Sequence, residues 1–117
     1  MHDNRAELNL FDSMIKGNLY LEDVKFQIEK DLGLGGFTFK NDSYTKLEDF
    51  LIELTDFVKK IRSEHHSKWM KIVYRVDLTP KQYKFVQQMG GDTDDNMAKA
   101  ILLRIFQKVQ TRKNYKV

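Results

Sequence analysis

The sequence predicts a mainly helical α+β protein, in which a three-helix N-terminal part precedes a strand–helix–helix unit. Apolar residues recur at helical spacing in five segments, whereas residues 71–78 alternate between apolar and polar side chains. Charge is also uneven: residues 1–66 carry 9 basic and 13 acidic side chains, a balance of −4, and residues 67–117 carry 11 and 4, a balance of +7. We therefore divide the chain into an acidic part, 1–66, and a basic part, 67–117.

Length and composition exclude several classes of protein. A chain of 117 residues suffices for one domain with a small core, and 41% hydrophobic residues with 12% aromatic exclude a disordered chain. There is no apolar run of membrane-spanning length and no hydrophobic leader, so we expect no membrane partner. The absence of cysteine excludes disulfides and fits a reducing compartment. We expect a cytoplasmic protein.

Three amphipathic helices are predicted in the N-terminal part, at residues 4–16, 21–32 and 44–62. Thr45 and Glu48 match a capping box at the start of the third helix. Five apolar residues of this helix follow one another at spacings of four and three, as in a coiled coil. They are Leu47, Leu51, Leu54, Val58 and Ile61. Two heptads favour ordinary packing in a helix bundle, and the alternative is a partner-binding face over residues 47–61.

The predicted strand has one apolar face, formed by Ile72, Tyr74, Val76 and Leu78. The other face carries Lys71, Val73, Arg75 and Asp77. A lone strand needs a partner for its backbone, which leaves two alternatives. An identical chain in a homodimer gives an antiparallel two-stranded ribbon over packed helices, or residues 37–39 pair with the strand within one chain.

Two helices are predicted after the strand. Thr79 and Gln82 match a second capping box, with Pro80 at the first helical position. This helix covers residues 80–89, and the last helix covers residues 96–112 after a run of N-capping aspartates.

Signals for enzymatic chemistry are weak. The glycines of residues 33–36 lack the spacing of a phosphate loop, and His65 and His66 diverge on a helix, so they do not share a metal. Three acids of the third helix, Asp49, Glu53 and Asp56, lie opposite its apolar face, as solvated acids do. We expect no catalysis, no metal and no cofactor.

The stretch RVDLTPKQY, residues 75–83, resembles the strand-to-helix junction of the ribbon-helix-helix family of small dimeric DNA-binding proteins. The resemblance covers residues 69–110 and continues in Gly90 and in the pattern of the last helix, Asp95, Met97, Ala98, Ile101, Leu102 and Ile105. It implies that Val73, Arg75 and Asp77 read bases from a two-stranded ribbon. It also implies that backbone amides between Thr93 and Asn96 hold a phosphate.

Further basic residues, beyond those to which the resemblance gives a role, add candidate phosphate contacts. They are Lys71, Lys108, Arg112, Lys113 and Lys116. For the four that lie toward the C-terminus, from Lys108 to Lys116, we favour a simpler role, since cations near a helix C-terminus complement its dipole and make a free chain end more soluble.

The predicted function is non-enzymatic binding of double-stranded DNA by a homodimer, as a small transcriptional regulator, an antitoxin-like protein or an accessory factor of a mobile element. The N-terminal helices would contact a protein partner. The alternative is a protein–protein interaction module that works through residues 47–61 and has no nucleic-acid role.

Overall fold

The described part of the chain is entirely helical. The computed structural model describes residues 5–41 and 43–114, without the side chains of residues 5–8 and 10. These residues form six α-helices and two short 3-10 turns, with the following bounds: α1 Arg5–Gly17, α2 Leu21–Leu32, a turn Gly33–Gly35, a turn Leu47–Asp49, α3 Phe50–Glu64, α4 His66–Val76, α5 Pro80–Gln88 and α6 Thr93–Asn114. The predicted α+β class is wrong, because these residues contain neither strand nor sheet.

Helix α6 is the centre of the fold and packs against the five other helices. Its buried side chains surround most of its circumference, which is typical of a helix enclosed by protein. Residues of both predicted parts, 1–66 and 67–117, belong to one hydrophobic core, and the boundary between the parts lies at the α3–α4 junction. None of the described helices combines the length and apolar content needed to cross a membrane.

Helix α4 occupies the place of the predicted strand. Trp69, Ile72 and Val76 are buried at spacings of three and four residues. The alternation placed Tyr74 on the inner face, yet Tyr74 is 89% exposed. A short apolar run can satisfy both periods, and here the packing of α4 against α2, α3 and the turn Gly33–Gly35 selects the helix.

Neither pairing predicted for residues 71–78 occurs. Phe37 and Phe39 lie in a loop, where both rings are buried edge to face with centroids 4.8 Å apart. Because the described residues contain no strand, the two-stranded ribbon is absent from them. The homodimer inferred from the ribbon remains an untested prediction without that structural basis.

The two predicted capping boxes differ in outcome. At the start of α5, the Thr79 hydroxyl accepts from the Gln82 N–H at 3.2 Å, and the Gln82 side chain accepts from the Thr79 N–H at 2.9 Å. The predicted box at Thr45 is wrong: the chain forms a 3-10 turn first, and α3 begins five residues later. The Leu47 N–H instead donates to Asn18 Oδ1 at 2.9 Å, so a distant side chain takes the place of a local cap.

Candidate functional site

The outer face of α4 combines exposed apolar and basic side chains. Since α4 buries Trp69, Ile72 and Val76, its register turns residues 70, 71, 74 and 75 outward. Met70 is 49% exposed and Tyr74 89% exposed, which is unusual for large apolar side chains next to one another on a helix. The helix contains no acidic residue, so this face is positively charged.

An open hollow of about 940 Å³ lies against this face, and we call it the α4 hollow. Its lining is Leu34, Met70, Lys71, Tyr74, Arg75, Asp77 and Lys108. Leu34 follows α2 and is 55% exposed, so it extends the apolar surface beyond the helix. The hollow is thus lined by three apolar side chains, three cations and one carboxylate.

The buried carboxylate of Asp31 holds two of these cations in place. Its Oδ1 accepts from Arg75 Nε at 3.2 Å, and its Oδ2 accepts from Lys108 Nζ at 3.1 Å. Asp31 is 1% exposed, whereas the Arg75 side chain is 48% exposed. Lys108 Nζ also donates to the Arg75 carbonyl at 3.0 Å. Arg75 is therefore fixed through Nε, and its two terminal nitrogens have no hydrogen-bond partner in the described part of the chain.

Gln27 completes this buried polar cluster. Its Nε2 donates to Asp31 Oδ1 at 2.9 Å, while its buried Oε1 has no hydrogen-bond partner among the described residues. The Nε2 must face the carboxylate, because the opposite amide orientation would place two acceptors together. One buried acceptor of this cluster, Gln27 Oε1, therefore has no donor among the described residues.

Asp77 is the carboxylate at the edge of the α4 hollow, and its charge is partly balanced. It ends α4 in the left-handed conformation, with φ 58°. Arg104 Nε donates to the Asp77 carbonyl at 2.8 Å, and an Arg104 terminal nitrogen lies 3.6 Å from the carboxylate. A single carboxylate with its own arginine leaves the hollow with net positive charge.

The structure brings together four residues that the sequence marked as DNA-binding: Lys71, Arg75, Asp77 and Lys108. Val73 is partly buried against the core, on the inner side of α4. Arg112 and Lys113 are exposed near the end of α6, where Lys113 pairs with Asp23 at 3.0 Å. Lys116 lies outside the described residues.

The predicted phosphate anchor at the start of α6 is occupied by the chain's own side chains. Thr93 begins the helix, and Asn96 is buried, its Nδ2 donating to the carbonyls of Met89 and Gly90 at 3.2 and 3.3 Å. Asp94 forms an ion pair with Arg62, and its N–H donates to the Asp92 carboxylate at 2.9 Å. These carboxylates repel a phosphate at this helix end.

The predicted partner-binding face of α3 lies in the core. Leu47, Leu54 and Val58 are 0% exposed, Ile61 is 3% exposed, and Leu51 is partly buried against them. This arrangement agrees with the bundle packing that the two-heptad spacing favours. The face is not accessible to a partner in this conformation.

The acidic side of α3 contains a carboxylate that is bound within the chain. Glu53 accepts hydrogen bonds from the Tyr44 hydroxyl and from the Lys40 N–H, the latter at 2.8 Å. The hydrogen bond to Glu53, together with burial and the negative charge of Glu53 and Asp49, raises the pKa of Tyr44 to about 12. No group of three or more histidine or acidic side chains in the described ranges is placed to hold a metal ion.

Several residues of the site were not recognised in the sequence: Leu34, Met70 and Tyr74 in the α4 hollow, and Gln27 and Asp31 beneath it. The signal for the first group was present, because a helical interpretation of residues 66–76 places positions 70, 71, 74 and 75 on one face. For Asp31 the only signal was its place on a predicted helix, one position from the apolar Leu32.

Comparison with models of protein families, with curated proteins and with solved structures finds no match to this chain. The resemblance to the ribbon-helix-helix family therefore stays a prediction made from residues 69–110, and the ribbon it implied is absent from the described residues.

Proposed function

We propose that this protein is a non-catalytic binding protein and that the α4 hollow receives an acidic, partly apolar segment of a partner protein. The observation that supports this most directly is a group of exposed apolar side chains next to an arginine that is fixed by an ion pair with a buried carboxylate. Leu34, Met70 and Tyr74 form the apolar group, and Asp31 holds Arg75.

The composition of the α4 hollow is that of a protein-binding surface. Tyrosine, methionine and arginine are enriched in the centres of protein interfaces, and tyrosine and arginine dominate their binding energy. Tyr74 and Met70 supply contact area that folding has left in water. An apolar side chain of the partner would remove that area from water, which a phosphate backbone does not do.

The charge of the hollow selects an acidic partner. The bond from Arg75 Nε to Asp31 leaves two terminal nitrogens for a carboxylate of the partner, in the bidentate geometry that arginine favours. Because Asp31 already orients the guanidinium, less conformational entropy is lost on binding. Lys71 has no ion pair within the described residues and adds a second positive charge at the edge.

Binding of double-stranded DNA remains a second candidate, because residues 67–117 carry a balance of +7 and α4 has no acidic residue. DNA contacts would then come from the outer face of α4 rather than from a ribbon. Leu34 and Met70 have no apolar contact on the phosphate backbone, so in this candidate they would contribute only by reaching apolar groups of the bases. For either candidate we propose a cytoplasmic location, with which the lack of cysteine is compatible.

Fluorescence anisotropy with two labelled peptides tests the proposal. The first is a short peptide in which Glu and Asp alternate with Leu and Phe, and the second has Lys in place of every acid. We expect only the acidic peptide to bind. Tyr74→Ala and Lys71→Glu should each weaken that binding about tenfold, as hot-spot substitutions do.

Lys84→Glu is the matched control for Lys71→Glu. Lys84 is exposed on α5 outside the α4 hollow, and its substitution changes the net charge by the same amount. Equal losses for the two variants, or equal binding of both peptides, would contradict a specific site. Displacement of the peptide by random duplex DNA would support the second candidate. The logarithm of the affinity for DNA should then fall with the logarithm of the salt concentration, with a slope of about −0.9 for each phosphate contact. A dimer in sedimentation that Tyr74→Ala dissociates would assign the hollow to a second copy of the chain.

A further inference from the structure

A second cavity, of about 490 Å³, lies between the loop of residues 35–40, the outer side of α3 and the start of α4. We call it the α3 cavity. Its size falls within the range of about 300–1,000 Å³ that is typical of small-molecule sites. It shares no lining residue with the α4 hollow, so a ligand in this cavity is independent of the proposed function.

The floor of the α3 cavity is apolar and aromatic. Phe37 and Phe57 lie edge to face with centroids 5.0 Å apart, and Ile61 continues the surface along α3. Glycine at residue 35 lets the loop approach this floor closely. A Cβ on Gly35 would lie 2.9 Å from Ile61 Cδ1 and 2.7 Å from Ile72 Cδ1. A flat apolar group fits against two aromatic rings in such a site.

One end of the α3 cavity presents nitrogen groups that have no carboxylate partner among the described residues. Lys60 lies near the end of α3, and His65 and Lys68 lie at the junction with α4. Neither lysine forms an ion pair within residues 5–41 and 43–114. Two ammonium groups without an ion pair among the described residues, next to an apolar floor, favour an anionic ligand group there.

The other end of the cavity is already internally bonded. Glu53 accepts from the Tyr44 hydroxyl and the Lys40 N–H, so it has little capacity left for a ligand. Asp56 is the second carboxylate of the lining and lies one turn before Lys60 on α3. The carboxylates of Glu53 and Asp56 outweigh the single ammonium group of Lys40 at that end, so an anion is directed toward Lys60 and Lys68.

From this arrangement we infer that the α3 cavity binds a small aromatic carboxylate. The ring lies on Phe37 and Phe57, and the carboxylate lies between Lys60 and Lys68. The ligand class is set by an aromatic floor, a cationic end and a volume suited to a small molecule.

Titration of the ¹⁵N-labelled full chain with benzoate, monitored by NMR, tests this inference. We expect saturable shifts at residues 35–40 and in the second half of α3. Benzamide, which has the same shape without the charge, should bind at least about fivefold more weakly, because a charge-assisted hydrogen bond is lost. Lys60→Gln should weaken benzoate binding by about the same factor.

Lys59→Gln is the matched control, since Lys59 is the exposed neighbour of Lys60 on α3 and lies outside the cavity. It should change the affinity for benzoate less than twofold, which is about the size of a surface charge effect. Several results would overturn the inference: no saturation by benzoate, benzamide or benzylamine binding as tightly as benzoate, equal losses for the two lysine variants, or shifts confined to the α4 hollow.

Discussion

Asp31 beside the α4 hollow and Glu53 in the α3 cavity are both carboxylates bound within the chain, but the groups that donate hydrogen bonds to them differ. Asp31 lies beneath the α4 hollow and accepts from two cations, Arg75 and Lys108, and from an amide. Glu53 lies at the end of the α3 cavity and accepts from neutral donors, a phenol and a backbone N–H. Asp31 is almost fully buried, whereas Glu53 keeps part of its surface in water.

This difference in donors explains the charge of the α4 hollow and the charge of the α3 cavity. Two cations compensate the charge of Asp31, and one of them, Arg75, keeps its outer nitrogens available to a ligand. Neutral donors leave the charge of Glu53 in place, and the charges of Glu53 and Asp56 together outweigh that of Lys40 at one end of the α3 cavity. Removing the carboxylate of Asp31 should therefore change the free energy of unfolding, whereas removing the charge of Glu53 should change the pKa of Tyr44.

The substitution Asp31→Ala should cause the largest loss in the free energy of unfolding. Removing one partner of a buried ion pair costs about 3–5 kcal/mol, and we expect about 2–3 kcal/mol here because Arg75 and Lys108 can reach water. Urea denaturation monitored by circular dichroism measures the free energy of unfolding.

Asp77→Asn is the control for Asp31→Ala, since the side chain of Asp77 is 79% exposed and asparagine tolerates the left-handed conformation. Its free energy of unfolding should change by less than about 0.5 kcal/mol. A similar change for both variants would show that burial with two cations does not distinguish Asp31.

An intermediate effect is expected at the wall of the α3 cavity. Gly35→Ala places a Cβ within 3 Å of Ile61 and Ile72, and such overpacking costs about 1–3 kcal/mol. Gly33→Ala is the matched control, because no atom lies within 4 Å of its Cβ position and its φ is −59°. We expect Gly33→Ala to be neutral or slightly stabilising in thermal denaturation. Equal destabilisation by the two substitutions would show that the turn does not press against the cavity floor.

The substitution Glu53→Gln should have the smallest effect on the free energy of unfolding at neutral pH. Its main effect should be on the pKa of Tyr44. Because the hydrogen bond to Glu53 raises the pKa of Tyr44 to about 12, the variant should lower this pKa toward the ordinary value of 10. NMR of ¹³C-labelled tyrosine measures it, by comparing the Tyr44 signal of the variant with that of the parent chain.

The same pKa shift predicts a dependence of stability on alkaline pH. The folded chain keeps the Tyr44 proton between pH 10 and about 12, where the unfolded chain loses it. This contribution to stability is complete below pH 10 and decreases as the pH rises toward 12. The Glu53→Gln variant should show a smaller decrease over this range, and an identical decrease would contradict the role of Glu53.

Local sequence was sufficient where a helix depends on its own residues. Helix α2 begins and ends where its apolar period predicts, at Leu21 and Leu32. The start of α5 was also predicted, because Thr79, Pro80 and Gln82 satisfy the first amides without help from the rest of the chain.

Local sequence failed where a distant group decides the structure. Thr45 carries the same capping pattern as Thr79, but Asn18 bonds the Leu47 amide and the chain enters α3 through a 3-10 turn. The predicted strand failed for a related reason. Its alternation is real, yet the core offers α4 a surface for Trp69, Ile72 and Val76 and none for Tyr74.

The candidate site shows the same division. Charge marked Lys71 and Lys108 as candidate phosphate contacts, and the resemblance marked Arg75 as a base-reading residue of a ribbon that the described residues do not form. The convergence of Arg75 and Lys108 on Asp31, and the exposed apolar group beside them, required the packing of α2, α4 and α6, because residues 31 and 108 are distant in the chain.

The sequence by itself determined the extent of α2, the start of α5, the amphipathic core face of α3 and the excess of positive charge after residue 66. Each of the three helical features depends on residues within a few turns of one another, and the charge excess depends on composition alone. The tertiary structure alone decided that residues 66–76 are a helix, which face of that helix is exposed, and how the two hollows are lined. These features depend on burial against distant segments, and the free energy of burial exceeds the small local preferences of a short apolar run.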